Sequence, residues 1–446
     1  MGLTGLDIYK QLPKKNCGEC GPPTCLAFAM SLASGKAALD ACPYVSDEAK
    51  AALDAASAPP IKLIKVGSGD SALEMGDETV LYRHEKTFFH PCGVAVAVSD
   101  TLDDQALQEK LAAVADLVFH RVGQEYTIDL VALKNDSGSA EAFKSAAKAV
   151  VDNTELSMVL ITDDADAMAA AVEVAAGRRP LLCGANADNY EAMTGLAKEA
   201  GLPLVVKGNG LDDTAELITK VEELGHKDIV IDSGQRETAA VLADLTQLRR
   251  LAIKKKFRTF GYPAIAFTSE EEPRAEVLQA SVYMAKYASL IVVATDDKAH
   301  LLPVLAWRQN VYTDPQKPIQ VEAKLHEVGE VNDESPFYVT TNFSLTYYTV
   351  EGEVETSKVP SYILPVHTDG TSVLTAWAAD KFTGEKIAEA IKSSGIEDKV
   401  KHREVIIPGY VAVLSGKLQE ASGWKVVVGP QEAAGIPGFV RDRFAK

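Results

Sequence analysis

The sequence predicts a multidomain α/β protein: a small cysteine-rich N-terminal domain, a central (β/α)8 barrel and a C-terminal α/β domain. Three observations carry that expectation. The chain has 446 residues, against about 100–200 for an ordinary domain. Four of its six cysteines lie within residues 17–42. From about residue 93, short apolar runs alternate with segments of helical periodicity. Apolar residues make up 47% and charged residues 24%, which excludes a disordered chain, a collagen-like repeat and a disulfide miniprotein. The expected boundaries are 1–57 for the cysteine domain, 58–92 for a linker and small β extension, 93–323 for the barrel and 324–446 for the last domain.

Cys17, Cys20, Cys25 and Cys42 follow the spacing C-x2-C-x4-C-x16-C. Structural zinc usually takes two close pairs separated by a spacer, whereas here three cysteines fall within nine residues. No histidine lies between Tyr9 and Leu53 to complete a mixed zinc set. A [4Fe–4S] cubane needs several thiolates wrapped round it by a short loop and one more from a distance. Gly18, Gly21, Pro22 and Pro23 permit that wrapping, and Pro43 after Cys42 matches the Cys-Pro ending of bacterial ferredoxin runs. The cubane is the favoured reading, with zinc as the alternative. Cys25–Ala33 then reads as a helix whose apolar face closes over the cluster. Its two roles, moving one electron and stapling a domain too small for a sizeable core, are compatible. Cys92 and Cys183 sit in apolar surroundings and read as buried thiols.

The Ala-rich residues 47–58, ending in Pro59-Pro60, read as a linker. Ile61–Val66 and Thr79–Tyr82 approach strand length in the β extension. Nine apolar runs follow: Val94–Val98, Leu117–His120, Ile128–Leu133, Met158–Ile161, Pro180–Cys183, Leu204–Val206, Ile229–Ile231, Ala264–Phe267 and Leu290–Val293. Near-continuous apolar strands alternating with helices such as Leu211–Leu224 and Glu237–Ile253 imply a parallel sheet covered on both faces. A TIM-like barrel needs eight strands. Leu117–His120 is the one to discard, because no helix fits between it and Ile128; an open doubly wound sheet is the runner-up. Neither a phosphate-binding G-x-x-x-x-G-K-[ST] loop nor a G-x-G-x-x-G after a strand is present. Lys207-Gly208-Asn209-Gly210, Asp232-Ser233-Gly234, Asn186 and Asp188 follow apolar runs, where they are either ligand-binding groups or ordinary polar loops.

Tyr312–Pro318 reads as a second linker. Beyond it, strands are expected at Phe337–Thr341, Ser361–Val366, Glu404–Ile407 and Trp424–Val428, with a helix at Phe382–Ser393 among the segments between. The loops at their ends (340–346, 367–373, Gly429-Pro430) are rich in hydroxyls and glycine and poor in charge. That suits a large neutral or amide-bearing ligand better than a phosphate cluster.

The formal charge is −18, with the acidic surplus concentrated in the middle of the chain. Such a field repels polyanions, so nucleic acid is not an expected partner. Arg249-Arg250 and Lys254-Lys255-Lys256 read as a solvated helix end. No apolar run reaches the roughly 18–20 uncharged residues of a bilayer span, and the first residues lack the basic segment and apolar core of a secretory signal. No membrane association and a cytoplasmic location are expected.

The four-cysteine pattern, the barrel and His367-Thr368-Asp369-Gly370-Thr371-Ser372-Val373 together resemble the large subunit of the corrinoid iron–sulfur proteins, in the acetogenic form more than the archaeal decarbonylase component. The resemblance covers the whole chain, and the cysteine pattern is its specific part. It implies a Rossmann-like C-terminal domain holding a cobamide, and a heterodimer with a smaller barrel subunit. It implies a methyl carrier of the acetyl-CoA pathway, charged by a methyltetrahydrofolate:corrinoid methyltransferase and discharged at acetyl-CoA synthase/carbon monoxide dehydrogenase. By the same resemblance Thr340, Thr346, Gly370, Thr371, Ser372 and Val373 contact the corrin or its amides, and Ala433 and Ala434 close the far side. No catalytic residue is expected on this chain. Many corrinoid proteins present a lower cobalt ligand from Asp-x-His-x-x-Gly. Here His367-x-x-Gly370 is preceded by Pro365 where the aspartate would stand, so His367 reads as a loop residue rather than a ligand, and the cobamide is expected base-off.

Overall fold

The computed structural model describes residues 5–33, 37–46, 49–50, 53, 59–121, 123–314 and 318–444. The expected linker at 47–58 lies largely outside them, as do residues 315–317 of the second. In the N-terminal segment, helices Gly5–Gln11 and Cys25–Ala33 share a small core with Ile8, Leu12, Phe28, Ala29 and Val45. The helices cross so closely that a Cβ on Gly5 would stand 2.3 Å from the Met30 sulfur. A hairpin follows, β1 (Ile64–Val66) with β2 (Leu73–Met75).

Next come β3 (Gly93–Ser99), β4 (Val118–Arg121), β5 (Gln124–Thr127), β6 (Leu130–Lys134), β7 (Ser157–Ile161), β8 (Leu181–Ala185), β9 (Leu204–Lys207), β10 (Ile229–Asp232), β11 (Ile265–Phe267) and β12 (Leu290–Val293). Eight of them form one parallel sheet in the spatial order β10-β9-β8-β7-β6-β3-β12-β11. A parallel bridge between Ile231 and Ala264 joins its two edges, and the N–H of Ile231 donates to the carbonyl of Pro263 at 2.8 Å. The sheet is thus a near-closed barrel with a helix after each strand. The runner-up, an open doubly wound sheet, is excluded by that closure. Leu117–His120 is the surplus run: it contributes to an antiparallel hairpin, β4 with β5, outside the barrel.

Alternation explains why the barrel strands read as continuous apolar runs. Val94, Val96 and Val98 of β3 face the helices, while Ala95 faces the interior. Both faces are dry, so both must be apolar, and each fully buried Val, Leu or Ile is worth about 1.5–3 kcal/mol. Ile64, Val66 and Met75 of the β1–β2 hairpin join the interior cluster. The hairpin therefore plugs the amino-terminal end of the barrel, where Leu73 meets Gly93 and Ser157 donates to the Ser71 carbonyl at 2.7 Å.

Two local expectations are corrected. Thr79–Tyr82 is not a strand; the N–H groups of Leu81 and Tyr82 donate to the Glu85 carboxylate instead of a ladder. Arg249 does not belong to a solvated helix end. It is buried, pairs with Glu78 at 2.8 Å, donates to the Val80 carbonyl and stacks on Phe88 and Tyr287. An arginine that ties a loop to a helix cannot be told from a solvated one by local composition.

The C-terminal sheet comprises β13 (His326–Val328), β14 (Phe337–Thr341), β15 (Ser361–Val366), β16 (Glu404–Ile407) and β17 (Lys425–Val428), in the order β13-β15-β14-β16-β17. Only β13, an edge strand not anticipated from the sequence, is antiparallel. Helices including Ser344–Ser357 and Gly384–Ser393 cover its faces. No described helix is long and apolar enough to cross a membrane.

Candidate functional site

The first candidate site is the loop that carries the cysteines. Lys14 and Asn16 have φ of 57° and 50°, and Gly18 and Gly21 have φ of 77° and 98°. Such a run of left-handed residues curls the backbone tightly. Cys17 is exposed, Cys20 half-buried, and Cys25 and Cys42 buried. Cys25 opens the helix Cys25–Ala33. Asn16 holds it from both sides: its Oδ1 accepts from the Cys25 N–H at 2.8 Å, and its own N–H donates to the Cys25 sulfur at 3.4 Å.

The Cys20 thiol is raised above its ordinary value, first by desolvation and then by the charges of Cys42, Cys17 and Cys25. The sulfurs of Cys42, Cys17 and Cys25 therefore each lie within electrostatic range of Cys20, and negative charge on them opposes its ionisation. A cationic metal–sulfide core relieves that repulsion, so the donor set fits a cluster. Among the described residues no three or more His, Cys, Asp or Glu side chains gather as one metal ion would require. Cys92 and Cys183 are buried, and desolvation pushes both thiols far above their usual range.

The second site lies at the carboxyl ends of β14, β16 and β17, where a pocket of ≈250 Å³ opens. Thr340, Thr346, Val373 and Ala433 line it, as do Tyr338, Leu345, Thr349, Ile406, Pro408 and Gln431. No lining residue is charged. The Thr340 Oγ1 and the Tyr338 hydroxyl are buried with no hydrogen-bond partner. An unpaired buried hydroxyl costs about 1–3 kcal/mol, and a ligand amide would relieve that cost. Leu345 of the lining is exposed, as are Leu374 and Trp377 in the segment that follows Val373 and Tyr410 and Val413 in the segment that follows Pro408. Gly409 and Gly429 bring the last two strand loops together: a Cβ on Gly409 would stand 2.6 Å from the Gly429 carbonyl.

Other expected residues lie off this wall. Gly370, at φ 69°, turns its loop against Pro318 and Gln320. Thr371 donates to the Thr368 carbonyl at 2.7 Å, Ser372 to Thr375 at 3.1 Å, and Ala434 is exposed. His367 is 66% exposed and stands beside Asp369 at 3.8 Å; it lines a different pocket, with Lys386 and Glu389. Asn342 was missed. Its buried side chain ties the loop after β15 to the end of β14. One asparagine in a hydroxyl-rich loop carries no sequence mark of that role. In the barrel, Asn186 and Asp188 form a turn before helix Tyr190–Ala200, whereas Lys207 and Asp232 line the barrel mouth.

A family model described as CO dehydrogenase/acetyl-CoA synthase delta subunit matches residues 63–440. A second, described as a putative Fe-S cluster, matches residues 12–44 and so spans all four cysteines. The chain is 59% identical to the corrinoid/iron-sulfur protein large subunit of Moorella thermoacetica over 445 residues, covering 100% of both chains. It is 36% identical to the acetyl-CoA decarbonylase/synthase complex subunit gamma of Methanothermobacter thermautotrophicus, covering 99% of each. The corresponding gamma subunit of Archaeoglobus fulgidus is 33% identical, with 98% of this chain and 97% of that one covered. That ordering agrees with the stronger resemblance expected to the acetogenic form. The chain therefore belongs to the CO dehydrogenase/acetyl-CoA synthase delta subunit family, alongside the corrinoid/iron-sulfur large subunit.

Proposed function

We propose that the protein is the large subunit of a corrinoid- and cluster-bearing methyl carrier of the acetyl-CoA pathway. The observation that carries this reading is the uncharged pocket with the orphaned Thr340 hydroxyl, on a chain whose residues 12–44, with all four cysteines, match an Fe-S cluster family. When bound, the cobamide supplies a cobalt that takes a methyl group from methyltetrahydrofolate through a partner methyltransferase and passes it to acetyl-CoA synthase, while a [4Fe–4S] cluster supplies the electron that restores Co(I) from Co(II).

Cys17, Cys20, Cys25 and Cys42 hold the cluster, with Asn16 fixing Cys25. Thr340 and Thr346 offer hydroxyls to the corrin amides. Val373 and Ala433 form the apolar side, with the exposed Ala434 beside them at the far edge, and Gly370, Thr371 and Ser372 shape the adjoining loop. His367 stands on the wall of another pocket and would not serve as a ligand to a bound cobalt, so the cofactor would be held base-off. The exposed Leu374, Trp377 and Val413 await cover from a smaller barrel subunit. The domain boundaries given above and a cytoplasmic location belong to the same proposal.

Anaerobic purification of the complex with metal analysis and an absorption spectrum tests the reading. About one cobalt and four irons per chain are expected. Iron without cobalt would leave an electron-transfer module. Turnover of methyltetrahydrofolate by the isolated large subunit would make it a free-standing pterin-binding methyltransferase.

A further inference from the structure

The barrel interior changes chemistry at one level. Ala132 of β6, Val205 of β9 and Val230 of β10 point inward and are buried in the interior cluster. Two residues further along each strand the same inward row reaches Lys134, Lys207 and Asp232. On β7, β8 and β11 the equivalent positions stay apolar, at Ile161, Cys183 and Phe267. The row thus becomes polar only at the carboxyl-terminal mouth, where barrels bind their ligands. These side chains, with Asp163 and Arg236 from the loops, line a pocket of ≈330 Å³.

Two of the three cations there stand beside carboxylates, and the third does not. Asp232 is 2% exposed, and Arg236 donates to both its carboxylate oxygens at 3.0 and 2.8 Å while lying over Phe267 at 4.5 Å. That pair neutralises itself. The Lys207 ammonium is 3.8 Å from the Asp163 carboxylate, beyond a normal hydrogen bond. Lys134 is exposed and has no ion pair among those found for the described residues. The lining thus holds three cations, Lys134, Lys207 and Arg236, against the two carboxylates of Asp163 and Asp232, and Lys134 is the one left over; the buried Glu276 carboxylate lies just behind, taking the Thr268 hydroxyl and the Ala294 N–H at 2.6 Å. A layer built only for packing would have continued the apolar rows. β6 and β9 stand three strands apart in the order of eight, so the two ammonium groups reach in from well-separated sides.

We propose that the barrel mouth is a binding site for a small organic anion, its carboxylate or phosphate held between Lys134 and Lys207 and its carbon skeleton against Ile161 and Phe267. The site is separate from the cluster loop and from the pocket of the C-terminal sheet.

Calorimetric titration of the anaerobically purified complex, in chloride-free buffer, tests this with inorganic phosphate and with succinate as separate probes. Saturable binding of at least one is expected, weakened at least about ten-fold by Lys134→Met or Lys207→Met. Lys358→Met, remote from the mouth, controls for bulk charge and should leave the affinity within about two-fold. Binding of phosphate alone assigns a phosphate ester, and binding of succinate alone a carboxylate. No saturable binding of either probe would overturn the proposal. So would an affinity unchanged in the double lysine variant, or a Lys358→Met effect as large as theirs.

Discussion

The side-chain oxygen of Asn342 accepts a hydrogen bond from the backbone N–H of Thr368 at 2.9 Å, and both residues are 1% exposed. The same oxygen takes the Thr368 hydroxyl at 3.1 Å and the Gly370 N–H at 3.2 Å. The amide nitrogen donates to Gln320 at 2.9 Å. One buried side chain thereby sets where the loop 367–373 lies beside the pocket. Asn342→Ala should destabilise the protein by about 2–4 kcal/mol, because it leaves buried donors unpaired. Bound cobalt per chain should fall while the iron content stays. Thermal unfolding and metal analysis of the complex read both effects; unchanged cobalt would show that the loop takes no part in retention.

Thr340 allows the two roles of a hydroxyl to be separated. Its Oγ1 is buried and unpaired in the protein alone. Thr340→Val keeps the shape and removes that unsatisfied group. The corrinoid-free protein should be as stable as the parent or more stable, by up to about 1 kcal/mol. Corrinoid retention should nonetheless weaken, because the ligand amide loses its partner. Denaturant unfolding of the cofactor-free protein and a corrinoid-release assay give the comparison. A variant that holds corrinoid as well as the parent would remove Thr340 from the binding set.

Cys20 is the most direct test of the cluster. Cys20→Ala should abolish or convert the [4Fe–4S] signal and halt reductive reactivation. It should leave intact the ability of chemically reduced cobalt to accept a methyl group. Iron analysis, electron paramagnetic resonance and a methylation assay started from Co(I) separate the two functions. Failure to methylate from Co(I), with the fold intact, would show that the cluster loop does more than move electrons.

How much of this was legible depends on whether a feature repeats. The barrel was, because both faces of Val94–Val98 and its fellow strands are dry and the apolar signal recurs in every strand. The cysteines were, because metal-ligand spacing is local in sequence. The loop 340–346 stood out as hydroxyl-rich and poor in charge, but Thr340 and Thr346 were singled out within it by the family resemblance alone. Arg249 and Asn342 were not legible. Each acts through partners distant in the chain, Glu78 for one and Thr368 and Gln320 for the other. Strand β13 is three residues long and pairs only at an edge, too short for a period to register.

His226 gives the protein a pH-dependent component of stability. It is 6% exposed, with its Nε2 at 3.2 Å from the Asp228 carbonyl. Desolvation holds its pKa below the ordinary imidazole value; the Asp228 contacts oppose the shift, and Lys62 and Lys198 add to it. The unfolded chain takes up the proton near pH 6.5, before the folded protein does. Stability is therefore fully present above that pH and declines as pH falls toward the folded pKa. The melting temperature should drop as pH is lowered from about 7 to 5, and His226→Gln should flatten part of that slope. The Asp228 carboxylate, held below its usual range, acts in a separate and more acidic window. An identical slope in the variant would assign the pH response to other groups.

His367 decides the lower face of the cobalt. A donor imidazole would stabilise the higher oxidation states and make Co(I) harder to reach, so a carrier that works through Co(I) is better served by an unligated metal. The residues agree with that chemistry. Pro365 stands where an orienting carboxylate would be needed, and the imidazole is 66% exposed beside Asp369. It faces the Lys386 and Glu389 pocket rather than the one lined by Thr340. His367→Ala should leave the Co(II) electron paramagnetic resonance spectrum without change in nitrogen coupling and the Co(II)/Co(I) midpoint nearly fixed. Nitrogen splitting present in the parent and lost in the variant would make His367 a cobalt ligand, and the base-off assignment would fall with it.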